Sequence, residues 1–131
     1  MEQFEQKHLE AITEGIFLFN AQKYWECHED LEHHWLEEPG PIRNVYWAVI
    51  QVAAAMIHYR DGKLIGAKSL IQKAKQKFDR CEQFNIESKL LAENLSWQEL
   101  KLLVHEIPTE PELSDFKKLF NFRFKDPEQW K

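Results

Sequence analysis

Glycine and proline are scarce in this sequence, four and five among 131 residues. That is too little punctuation for the closely spaced turns of an all-β chain. Cysteine is scarcer: Cys27 and Cys81 stand far apart with no CxxC spacing, which leaves no zinc ribbon, redox motif or disulfide framework. There is no Gly-rich phosphate loop, P-loop or nucleophile elbow. No run approaches the apolar length of a membrane span, and the opening MEQFEQKHLE lacks the basic-then-apolar order of a signal peptide, so the expected compartment is the cytoplasm, without a membrane. Positive charge is also in deficit. A net charge of -5 and a pI near 5.7 argue against nucleic acid, whose binding proteins cluster Lys and Arg against phosphates. The basic residues of segment 63 to 80 (Lys63, Lys68, Lys73, Lys75, Lys77, Arg80) spread around a helical wheel and read as a solvated face.

What is present is 44% hydrophobic and 30% charged sequence in 15.7 kDa, enough for one core that buries roughly two-thirds of the unfolded surface. Helical periodicity dominates. Phe4, Leu9, Ile12, Ile16 and Phe17 predict a first amphipathic helix ending near Asn20. A second, over 21 to 38, is stopped by Pro39-Gly40-Pro41, and so short a connection predicts an antiparallel hairpin with a third, largely apolar helix over 41 to 61. Gly62 is placed to cap that helix, and Leu64, Ala67, Leu70, Ile71, Ala74, Phe78 and Cys81 mark the buried stripe of a fourth. A short helix around Ile86 to Leu91, a capping box at Ser96-Trp97-Gln98-Glu99, and a final aromatic helix in LSDFKKLFNFRF before a loose tail complete the reading. The fold class is all-α: an antiparallel bundle with a three-helix core over about 21–82 and additions over about 85–124, in a single domain spanning 1–131.

The stretch YWECHEDLEHHW, residues 24 to 35, concentrates the candidate chemistry. On a wheel Tyr24, Cys27, His28, Leu31 and Trp35 share one face, Glu29 and Glu32 line its edge with Trp25 and Leu36, and Glu26, Asp30, His33 and Glu37 point to water. On the third helix Asn44, Gln51 and His58 recur every seven residues. In the hairpin register that best matches large with small and polar with polar, His28 meets Gln51, Trp35 meets Asn44, and Arg43 is available to Glu32 or Glu29.

His28-Glu29-x-x-Glu32 is one residue short of HExxH, in which two histidines hold zinc and the glutamate is the general base. A divalent metal on His28, Glu32 and His58, with His105 also available, is therefore a candidate, as is acid/base catalysis by His28, Glu29 and Glu32. A ferritin-like carboxylate centre needs inward carboxylates that the third helix lacks, and adjacent His33 and His34 diverge by a hundred degrees. The favoured account is a hydrogen-bonded polar seam without a cofactor, with the buried thiols as small core residues.

The runs FNAQKYWECHEDLEHHW and GPIRNVYWAVIQVAAAMIHYRDGKLIGAKSLI together resemble the bacterial and archaeal family called domain of unknown function 309. The resemblance rests on Tyr24, His28, Glu29, Glu32, Trp35, Arg43, Gln51, Ala53, His58, Gly66 and Ala67; the local Asp61-Gly62-Lys63 departs from the family's Gly-Asn. It implies a small all-helical fold and no particular activity. The expected function is a non-enzymatic module binding a protein or small ligand, with a homo-oligomer open and a hydrolase using His28, Glu29 and Glu32 as the alternative.

Overall fold

A computed structural model describes residues 3–130. Among them the chain is all-α: α1 (Gln6–Ala11), α2 (Thr13–Asn20), α3 (Tyr24–Glu37), α4 (Arg43–Arg60), α5 (Leu64–Gln83), α6 (Lys89–Leu95), α7 (Trp97–Glu106) and α8 (Lys117–Phe120), with single 3-10 turns at Leu113–Phe116 and Pro127–Gln129. The predicted first helix is two, because the chain leaves helical geometry at Ile12, where Thr13 Oγ1 turns back to donate to the Leu9 and Glu10 carbonyls at 3.2 and 3.0 Å.

The centre is α4, whose Val45, Val49, Val52, Ala55 and Met56 are fully buried. The predicted hairpin forms across Pro39-Gly40-Pro41, and α3 and α5 both pack along α4, antiparallel to it. The turns obey a common rule. At Gln22, Gly62 and Asn85, φ is 59, 73 and 57°, and each residue closes its helix with the paired 5→2 and 6→1 backbone bonds of a Schellman motif, as in Gly62 N to Tyr59 O and Lys63 N to His58 O. Gly62 carries the plainest sequence signal for a positive φ, Asn85 a weaker one of the same kind, and Gln22 none.

One expectation fails beyond α5. Ser96 takes a left-handed conformation (φ 49°) and makes no side-chain cap, so the expected box does not form; Ser88 instead caps α6 by accepting from Leu91 N at 3.2 Å. The final aromatic stretch packs over the bundle as expected, and the segment after it makes the 3-10 turn Pro127–Gln129, with Trp130 Nε1 donating to Lys125 O at 3.2 Å. Phe116, Leu119, Phe122 and Phe124 are buried, and the Asn20 side chain both donates to Phe124 O and accepts from Phe124 N, at 3.0 and 2.8 Å. Burying each such aromatic contributes roughly 1.5 to 3 kcal/mol, which holds the C-terminal segment on α2 and α3.

Candidate functional site

The covered side of the three-helix layer α3–α4–α5 is the core. Its other side is a continuous surface that runs Trp35, Trp47, Lys77 across the three helices. The Trp35 and Trp47 ring centroids are 5.1 Å apart, the Arg43 guanidinium lies 4.2 Å over Trp35, and the Lys77 ammonium lies 4.2 Å over Trp47, with Arg80 at 5.9 Å. Cations on ring faces at these distances are each stabilised by about 0.5–2 kcal/mol. Trp35, Trp47 and Arg43 are half-buried, whereas Lys77 is 4% exposed. Among the described residues no carboxylate lies within 4.0 Å of Arg43, Lys77 or Arg80. Burial, joined by the charges of Arg80 and Lys73, pulls the Lys77 pKa down. Lys77 is therefore no member of a solvated face, and Arg43 serves Trp35 rather than Glu29 or Glu32.

His28 is not sealed in the core stripe. Its side chain is 26% exposed, its ring stacks on Trp25 with centroids 5.4 Å apart, and Nε2 stands 3.5 Å from Glu32 Oε2. The expected bond to Gln51 is not made: His28 Nδ1 and Gln51 Oε1 are both buried without a hydrogen-bond partner. Two observations explain why. Trp35 takes Arg43 and Trp47 as its neighbours, and the His58 ring lies against Gly66 of α5, where an added Cβ would come within 2.5 Å of Nδ1. Asn44, Gln51 and His58 share one stripe, so that stripe turns toward α5 and away from His28. Trp35 Nε1 and Arg43 Nε are also buried and unpaired, each such group costing about 1–3 kcal/mol.

The remaining candidates are dispersed. Tyr24 is buried under Phe120, donating to its carbonyl at 3.5 Å, and burial raises the phenol pKa. Glu29 is exposed. Asp30 does not point to water: its Oδ2 is buried beside Gly15, 4.0 Å from His34 Nε2. His33 pairs with Glu37 at 3.4 Å on the surface. Among the described residues no three His, Cys, Asp or Glu side chains converge as a metal site, so His28, Glu32 and His58 are not gathered into a ligand set. Both thiols are buried, and desolvation pushes each up to about 12.

Sequence reasoning missed two features. One is Trp47 with Lys77, whose only signal was a large aromatic interrupting the outer side of α4. The other is a cleft of about 400 Å³ between α5 and α7, lined by Asp79, Glu82, Lys101 and His105. There Lys101 bonds Glu82 and Glu87 at 2.6 and 2.7 Å, and His105 stands 3.2 Å from Asp79. These pairings satisfy one another and tie α7 to α5.

Residues 12–70 match the family described as Domain of unknown function (DUF309), a segment running from α2 into α5. An uncharacterised protein, YpuF of Bacillus subtilis (strain 168), is 47% identical over 63 residues, or 47% of this chain and 36% of that protein. The match thus spans about a third of the relative's length. No solved structure matches the chain. No described helix is long and apolar enough to cross a membrane.

Proposed function

We propose, for a chain whose residues 12–70 match the family described as Domain of unknown function (DUF309), that it is a non-enzymatic binding module whose working surface is the open face of α3, α4 and α5. The observation that carries this reading is the array Arg43, Trp35, Trp47, Lys77: two half-buried tryptophans flanked by cations that have no carboxylate within 4.0 Å among the described residues. Tryptophan and arginine dominate the energetics of protein interfaces because they combine area with directed polar groups. The His28–Glu32 pair would be the acid/base element of a hydrolase, but it occupies an open helix side, with Glu29 exposed beside it. A substrate would need a concave site there.

The test is a photo-crosslinking amino acid placed at Leu70 on this face, and separately at Glu99 on the opposite part of the molecule, in cells of the native host. Discrete adducts from position 70, lost on Trp47→Ala and absent from position 99, are expected. Equal adducts at both positions would refute the reading.

A further inference from the structure

The open face carries both charge signs, one on each edge. On α3, Trp25, Glu29, Glu32 and Leu36 follow one another by fours and threes and so form a single outward stripe; Trp25 is 55% and Leu36 66% exposed. On α5, Leu70, Lys73 and Arg80 make a matching stripe of the opposite sign around the buried Lys77. The two are in register. Trp35 contacts Arg43 and Trp47, Trp47 contacts Lys77 and Arg80, and His58 contacts Gly66. Because α3 and α5 both run antiparallel to α4, they run parallel to each other, and these contacts bring Glu32 level with Lys77, Glu29 with Lys73, and Trp25 with Leu70.

We propose that this face joins two copies of the chain about a two-fold axis parallel to α4, with α3 of each copy lying on α5 of the other. The inference rests on reading the face as a docking surface and names its occupant. A rotation about that axis exchanges the two edges at constant level. Glu29 and Glu32 of one copy then meet the exposed Lys73 and Arg80 that flank Lys77 on the other, Trp25 covers Leu70, and every pair occurs twice. A two-fold axis across the helices would instead stack α3 on α3 and set glutamate against glutamate. A separate acidic partner would satisfy the α5 edge while meeting repulsion from Glu29 and Glu32; a second copy satisfies both edges. Lys73 and Arg80, which have no carboxylate within 4.0 Å among the described residues, thereby acquire one.

Light scattering of the eluting, untagged full chain across a dilution series tests this. A mass twice the 15.7 kDa of one chain is expected. Lys73→Glu with Arg80→Glu, both exposed positions, makes both edges acidic; Glu29→Lys with Glu32→Lys makes both basic. Each doubly substituted chain is expected at single-chain mass with an unchanged helical circular dichroism spectrum, and an equimolar mixture is expected to regain the doubled mass. Wild-type protein at single-chain mass throughout, or variants that dimerise alone as the wild type does, overturns the inference. Single-chain mass combined with position-70 adducts to a different protein overturns the second copy while leaving the docking face intact.

Discussion

Gly15→Ala should destabilise the protein in one background and stabilise it in another. Gly15 is buried in α2, where replacing glycine by alanine favours the helix by about 1 kcal/mol. A Cβ there would lie 2.6 Å from Leu31 Cδ2 and 2.8 Å from Leu31 Cγ, about 1 Å inside ordinary carbon contact. Leu31 is fully buried, and because the clash reaches its Cγ as well as Cδ2, rotation about χ2 alone does not relieve it, while a change of χ1 would have to be made inside a packed core. Overpacking of this kind costs about 1–3 kcal/mol, so the net effect is a loss of roughly 0–2 kcal/mol. Leu31→Ala alone should cost about 2–5 kcal/mol, but it removes the closer obstacle and leaves only Asp30 Oδ2, at the end of a half-buried side chain, 3.1 Å from the added Cβ. In that background Gly15→Ala should restore about 1 kcal/mol or more. Urea denaturation of the four proteins measures the cycle. If Gly15→Ala stabilises the otherwise unaltered chain, or has the same sign in both backgrounds, the claimed close approach of α2 and α3 is wrong.

Gly66→Ala should cost less than Gly15→Ala, since the obstructing group is the half-buried His58 ring, which can swing outward; thermal melting compares the two. Cys27 and Cys81 should resist a thiol reagent at neutral pH until the chain unfolds, with labelling rates tracking denaturant. Their folded pKa near 12 lies above the ordinary 9.0, so the native state retains protons that the unfolded state releases. Stability is then unaffected by these thiols below pH 9 and falls by up to about 1.4 kcal/mol per pH unit per thiol between 9 and 12, seen as a steepening loss of melting temperature that Cys27→Ala with Cys81→Ala reduces. Lys101 would titrate low from desolvation alone, yet its bonds to Glu82 and Glu87 outweigh burial and raise its pKa. Lys101→Met should leave Glu87 facing Trp97 Nε1 without its cation and cost roughly 1–3 kcal/mol, measurable by urea denaturation.

Much of the scaffold was written in local pattern. The α3–α4 hairpin followed from Pro39-Gly40-Pro41, the Gly62 cap from glycine itself, and the α5 stripe from Ala67, Ile71, Ala74 and Phe78, because period and punctuation act within a few residues. The turn at Gln22 had no local signal, because Schellman bonding imposes a positive φ on a residue that does not favour it, whereas Asn85 offered the weaker signal of an asparagine at a helix end. Ser96-Trp97-Gln98-Glu99 carried a correct local signal for a helix start, but Trp97 must be buried against Phe78, their rings 4.7 Å apart, and the backbone at Ser96 bends to that demand.

The candidate site divides along the same line. Sequence alone determined which residues lie on one side of α3 and that Asn44, Gln51 and His58 share a stripe, since helical spacing is a property of one element. Which neighbour each stripe meets was decided only by packing. His58 resting on Gly66 turns the polar stripe of α4 toward α5, and Trp47 drawing Lys77 out of water converts an apparently solvated lysine into part of an aromatic and cationic face. The rotation of a helix about its own axis is fixed by the shapes packed against it, and those shapes come from segments distant in the chain.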